Sequence, residues 1–229
     1  MRWLVVEEFK HLINSLPKLE SAAVIGGTSN DPEVQELKIL FPGIRISYFG
    51  ISNQFDDVNF RYFDLNSPGV IDETFSLVLC SQVLEHVHNL ENCFKNLTNL
   101  VDKSRGFLWI NCPCSNMSHG SPDFYSSGYS KDLIEQYLMR NSFASIKSGY
   151  LGSRRYHFMT HSLRCWATRQ EHNHPVLGYK FKPGSALGIL NKFRKEILWR
   201  FIATLFSKKV RTDLEYATEV FVLASHNKY

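Results

Sequence analysis

Cys112-Pro-Cys114 and His119 set two thiols and an imidazole close together, groups of the kind that bind zinc as thiolate and neutral imidazole. C-x-C without a second ligand pair is not a zinc spacing, and cysteines buried at a strand end are the simpler reading. His172-Asn-His174 is similarly isolated and reads as a loop. Gly26-Gly27 follows the apolar run from Ser21 to Ile25. Paired glycines there either let a backbone approach a ligand closely or only close a strand–helix corner. A dinucleotide site would require G-x-G-x-x-G and, about 20 residues further on, a carboxylate for a ribose. In this chain the glycines are adjacent, the third is missing, and the second apolar run ends in Gly50-Ile51-Ser52 with no acid. NAD and FAD are therefore not expected.

The elements that position these groups alternate. Phe9, Leu12, Ile13 and Leu16 recur at helical spacing over about residues 7–16, before the stop at Pro17. A short strand leads to Gly26. Asp31-Pro32 then starts a helix, with Asp at the cap and Pro in the first turn, running to Pro42-Gly43. Further strands are expected at Ile44–Ile51, Phe60–Phe63, Phe75–Cys80 and Gly106–Pro113, with helices near 90–101 and 129–139 and an extended segment over Phe143–Tyr150. This alternation predicts an α/β fold, a parallel sheet covered on both faces. Ligands in such sheets bind beyond the carboxyl ends of the strands, where strand order reverses. That directs attention to Gly26–Asn30, Gly50–Asn53, Asp64–Asn66, Cys80–His86 and Cys112–Tyr125.

Composition narrows the class. Lys and Arg exceed Asp and Glu by 26 to 22, a net +4 that is too mild for a dedicated nucleic-acid binder. No apolar run approaches the roughly 18–20 residues of a membrane-spanning helix. The opening MRWLVVEEFKHL meets two glutamates too early for a secretory signal. Five cysteines are an odd number and too sparse for a disulfide scaffold, so a reducing cytoplasm is the expected location.

Three segments taken together resemble the class I S-adenosylmethionine-dependent methyltransferases, most closely their small-molecule branch. They are Asp64-Leu-Asn-Ser-Pro, then Glu73-Thr-Phe-Ser-Leu-Val-Leu-Cys-Ser-Gln-Val-Leu-Glu85-His86-Val87, then Gly106-Phe-Leu-Trp-Ile-Asn-Cys-Pro113. His119-Gly-Ser-Pro-Asp-Phe-Tyr125 is similar to the loop that follows the fifth strand in that branch. The likeness covers about residues 20–150, and Glu219-Val-Phe-Val-Leu-Ala224 resembles the closing antiparallel strand. The resemblance implies a Rossmann-like, mostly parallel sheet with helices on both faces and S-adenosylmethionine as cofactor. Gly26, Gly27 and Thr28 would pass under its methionine part, and Ile51 would pack on the adenine. Asp64 would accept from the adenine amino group beside the Leu65 backbone, and Cys80, Ser81 and Gln82 would line the region near the sulfonium. His119 is the first candidate base for a hydroxyl acceptor and His86 the second. Asp123 and Tyr125 would orient the loop or the substrate, or cap the helix near Tyr129.

Departures accompany the likeness. The acid usual in that family two residues before the first glycine is Val24 here, the third small residue of the turn is replaced by Thr28 and Ser29, and the ribose-binding acid by Gly50. Asp31 and Ser52 are the available substitutes. Some relatives hold Mg²⁺ with an E-x-x-E-H turn, but Gln82 stands in place of the first Glu and removes a charged oxygen ligand, so no metal is expected.

The stretch from about Leu151 to Thr212 exceeds what the core needs. It contains Arg154-Arg155 and an amphipathic pattern of Leu190, Phe193, Ile197, Phe201 and Leu205 opposite Lys192, Arg194, Lys195 and Arg200. Over about residues 187–209 this helix can pack on its own domain, act as a lid, or contact a membrane surface or a second copy. The expectation is one methyltransferase-like domain over residues 1–229, with 151–212 as an inserted or lid-like segment. The favoured activity is methylation of a small molecule or saccharide, at a hydroxyl. The alternative is a degenerate binding or scaffold protein of the same fold, and no nucleic-acid partner is expected.

Overall fold

The computed structural model describes residues 2–52, 59–69, 71–115, 123–152 and 217–226, with single positions at 186, 189 and 201. The elements are α1 (Arg2–Ile13), β1 (Ser21–Ile25), α2 (Pro32–Leu40), β2 (Arg45–Gly50), β3 (Phe60–Tyr62), β4 (Leu77–Ser81), a 3₁₀ turn (Leu84–His86), α3 (Leu90–Asn99), β5 (Phe107–Pro113), α4 (Lys131–Arg140), β6 (Phe143–Leu151) and β7 (Glu219–His226). The strands form one sheet in the order β3-β2-β1-β4-β5-β7-β6. β3 through β5 pair in parallel, while β7 runs antiparallel between β5 and β6. The expected Rossmann-like, mostly parallel sheet is thus present. Its antiparallel strand closes the chain's described part but lies inside the sheet, and β6 takes the edge.

Period-two alternation sends side chains to two separate cores, which is why the central strands are apolar throughout. Ala23, Ile25, Val78, Cys80, Leu108 and Ile110 meet α3 and α4 through Cys93, Phe94, Leu97, Ile134 and Leu138. Ala22, Val24, Leu77, Leu79 and Trp109 meet α1 and α2 through Leu4, Val5, Phe9, Val34 and Leu37. The first helix begins at Arg2 rather than near residue 7, because Leu4 and Val5 extend the buried face of Phe9, Leu12 and Ile13. The fourth strand starts two positions later than expected. Phe75 makes an isolated bridge to Val101 instead, and its N–H donates to the Leu100 carbonyl at 2.8 Å.

Strand order reverses between β1 and β4. The register sets Ile25 beside Phe49 and Cys80, so the turn after β1 emerges between the ends of β2 and β4. That gap is the crevice where open α/β sheets place ligands. No helix among the described residues is long and apolar enough to cross a membrane.

Candidate active site

The crevice is shaped by Gly26. Its φ of +63° lies in the left-handed region, and its N–H donates to the Phe49 carbonyl at 2.7 Å, which ties the turn to the end of β2. A Cβ at this position would sit 2.8 Å from Val83 Cγ2. At Gly27 a Cβ would meet Asp31 Oδ2 and Val24 Cγ1 at 2.7 and 2.8 Å. Asp31 occupies the cap position of α2 but does not cap it. Its Oδ2 instead accepts from the Thr28 N–H at 3.0 Å and closes the glycine turn, while the Thr28 hydroxyl oxygen accepts from the Asn30 N–H at 3.3 Å.

Across the turn, a Cβ at Gly50 would find nothing closer than 3.7 Å, and Ile51 is 63% exposed. A strand end without a side chain, beside an exposed apolar residue, is a surface on which a flat aromatic ligand can lie. Asp64 follows β3. Its Oδ1 accepts from the Asn66 N–H at 2.9 Å and from Asn66 Nδ2, and its Oδ2 accepts from the Ser67 hydroxyl at 3.0 Å. The Asn66 N–H is the main cause that holds the Asp64 carboxyl below its ordinary value, with partial burial opposing it. Leu65 is buried in the core, so only its backbone faces the loop.

The depressed carboxyl has a pH consequence. A folded-state value below the unfolded 3.8 means that the stabilisation is complete above that value and is lost as pH falls through the folded one. Thermal unfolding followed from about pH 5 to about pH 2 is expected to show a shallower loss of stability for Asp64→Asn than for the wild type. Parallel profiles would show that the loop does not stabilise the charged form.

At the end of β4, Cys80 is fully buried in the core, and burial pushes its thiol far above the ordinary range. Its side chain therefore lies among apolar neighbours rather than in the crevice. The Ser81 hydroxyl donates to Glu33 Oε1 at 2.9 Å. Gln82 has a φ of +59° and turns its side chain toward β5 and β7, donating from Nε2 to Asn111 Oδ1 at 2.7 Å and to Glu219 Oε2 at 2.8 Å. Asn111 in turn donates to the Val220 carbonyl at 2.9 Å. This partly buried network fixes the backbone at the β4 end. Among the described residues no group of three His, Cys, Asp or Glu could hold an ion.

His86 closes the 3₁₀ turn. The segment that enters α4 packs on it, with the Tyr125 N–H donating to the Glu85 carbonyl at 2.8 Å and the Tyr129 hydroxyl to the Leu84 carbonyl at 3.1 Å. His86 Nδ1 bonds to the Asp123 carbonyl, which can only accept, so Nδ1 carries the hydrogen and Nε2 is the basic nitrogen of the neutral ring. Asp123 acts here through its backbone, Tyr125 is half-exposed, and Ser130 rather than either of them caps α4. His119, Arg154, Arg155 and nearly all of the 151–212 segment lie outside the described residues. Burial pushes the Cys112 and Cys114 thiols upward, as expected of structural cysteines at a strand end.

Two contributors escape a reading of the sequence. Asn66 accepts on its Oδ1 from the His88 and Asn89 N–H groups at 2.9 and 3.1 Å, joining the loop that carries Asp64 to the start of α3. Glu33, only 1% exposed, accepts from the Ser81 hydroxyl and shares a small cavity with Gly27. In the sequence it passes as an ordinary acidic residue in a first helical turn, where the helix dipole favours one anyway.

No family model matches the sequence, and no curated protein matches it. Solved structures do match. Coclaurine N-methyltransferase bound to N-methylheliamine and SAH is 12% identical at a TM-score of 0.56, over 96% of this chain and 72% of that one. The O-methyltransferase of a trans-AT polyketide synthase multienzyme from Brevibacillus brevis, in complex with S-adenosyl-L-homocysteine, gives 11% and 0.57 over 97% and 72%. The [4+2]-cyclase SpnF gives 10% and 0.58 over 98% and 80%. The chain has the fold of the class I S-adenosylmethionine-dependent methyltransferases, and the cyclase is a further protein similar to it in structure.

Proposed function

We propose that this chain binds S-adenosylmethionine in the β1–β4 crevice and transfers its methyl group to a hydroxyl of a small molecule or saccharide. One observation carries the reading: the Gly26–Gly27 turn, the side-chain-free Gly50 and the exposed Ile51 converge where strand order reverses. Such a slot, apolar with a few directed polar groups, suits an adenosine joined to an amino acid better than a phosphate-bearing cofactor. The turn at Gly26, Gly27 and Thr28 and the backbone at the end of β4, Ser81 and Gln82, would hold the amino-acid side. Ile51, Asp64 and the Leu65 backbone would hold the adenine. When bound, the cofactor supplies an electrophilic methyl on its sulfonium.

The chain's own task is then to hold the acceptor in line and take its proton. His86 is suited to this because the Asp123 carbonyl fixes its tautomer with Nε2 basic. His119 is the other candidate. Label transfer from methyl-labelled S-adenosylmethionine to a panel of hydroxylated small molecules and sugars tests the activity. With an acceptor in hand, His86→Ala is expected to lower kcat by about 10²–10⁴-fold without changing cofactor affinity. Full turnover in that variant would remove His86 from the role, and a loss confined to His119→Ala would assign the base there.

A second reading rests on Val24, which is buried in apolar surroundings where the resemblance expects an acid. It makes the chain a ligand-binding protein of this fold without turnover. Cofactor binding with no label transfer to any acceptor would favour it.

A further inference from the structure

Beneath the glycine turn lies a cavity of about 10 Å³ lined by Val24, Gly27, Asp31, Glu33, Leu79 and Ser81, among others. It has room for a single group the size of a water molecule or an ammonium head. Glu33 is the anomaly in its wall. One carboxylate oxygen is held by Ser81 at 2.9 Å, whereas Oε2 is buried and meets no hydrogen-bond partner among the described residues. A buried carboxylate oxygen left unpaired is destabilising, and such groups persist where a water, an ion, a ligand or a function satisfies them. Its backbone lies in the first turn of the nine-residue α2, where the helix dipole favours a negative charge but supplies no partner to Oε2.

From these observations we infer that Glu33, with Ser81 as its positioning partner, is the recognition site for the ammonium group of an amino-acid-bearing ligand. The inference deepens the proposed cofactor reading and rests on it. It also gives a physical account of Val24. The side chain of Val24 lines the same cavity, so the negative charge that would come from β1 comes instead from α2, across the sheet face. Asp31 lines the cavity as well, and its Oδ2 already accepts from the Thr28 N–H at 3.0 Å. An amine pairing with Glu33 supplies a donor to Oε2 that the des-amino ligand does not itself carry.

Calorimetric titration of the full chain with S-adenosylhomocysteine and with its des-amino analogue tests this, in the wild type and in Glu33→Gln. The wild type is expected to bind S-adenosylhomocysteine at least tenfold more tightly than the des-amino compound, and Glu33→Gln is expected to bind the two within about twofold of each other. Equal affinity of the wild type for both ligands would overturn the assignment without recourse to any variant. A full amine preference retained in Glu33→Gln would overturn it as well. Failure of the wild type to bind either ligand is a different result, because it would remove the cofactor reading itself and this inference with it.

Discussion

Gly26→Ala is expected to destabilise the protein by about 2–4 kcal/mol and to weaken binding of S-adenosylhomocysteine by roughly tenfold or more. Two effects add. An alanine held at φ +63° pays the left-handed penalty, about 1–2 kcal/mol. Its Cβ would also stand 2.8 Å from Val83 Cγ2, a contact relieved only if Val83 or the turn moves. Val83 lies between the β4 end and the 3₁₀ turn that carries His86, so relaxation on either side displaces a wall of the crevice. Guanidinium unfolding and calorimetric titration measure the two consequences separately. A variant with wild-type stability and affinity would show that the turn can flip without cost, and would remove Gly26 as the feature that shapes the crevice.

Trp109→Ala has the largest expected effect on stability, a loss of about 3–5 kcal/mol. Trp109 is fully buried in β5, with Phe9 of α1 edge-on at 5.2 Å and Phe221 of β7 stacked at 5.6 Å. It thus joins the first helix to the middle of the sheet and to the antiparallel strand. Its Nε1–H meets no acceptor among the described residues, so Trp109→Phe should cost much less, since it removes an unpaired donor together with part of the ring. Equilibrium denaturation of both variants gives the comparison. Equal losses for Ala and Phe would mean that the shape of the indole, rather than its burial, carries the stability.

The architecture was readable because it depends on local patterns. Apolar runs such as Ser21–Ile25 and Gly106–Pro113 are bounded by glycine and proline, and the helices between them have one buried stripe. Boundaries differ from the sequence pattern where that pattern is locally ambiguous. Val5-Val6 and the two glutamates after them mask the helical period of α1, and Phe75 belongs to the bridge with Val101 rather than to β4. The turn at Gly26-Gly27 and the polar residues after each strand were also legible, because strand–turn–helix order points to one edge of a parallel sheet.

The pairings within that edge were not legible. Gln82 meets Glu219 from the far end of the chain, and Ser81 meets Glu33 across the sheet face. No periodicity within one segment encodes such contacts. The sequence offers Cys80 as a residue at the end of a strand, and only the register assigns its thiol to the core. Asp64 reads as an acceptor for a ligand alone, whereas the neighbouring Asn66 and Ser67 also donate to it. A short polar residue after a strand can serve its own loop as readily as a ligand.

Isothermal titration of the wild-type chain with S-adenosylhomocysteine tests most directly whether the β1–β4 crevice is a site for S-adenosylmethionine. Saturable binding at one site with a dissociation constant on the order of micromolar is expected, together with a rise in melting temperature. Neither heat nor thermal stabilisation at roughly millimolar ligand would contradict it, and would leave the fold as a scaffold for some other partner.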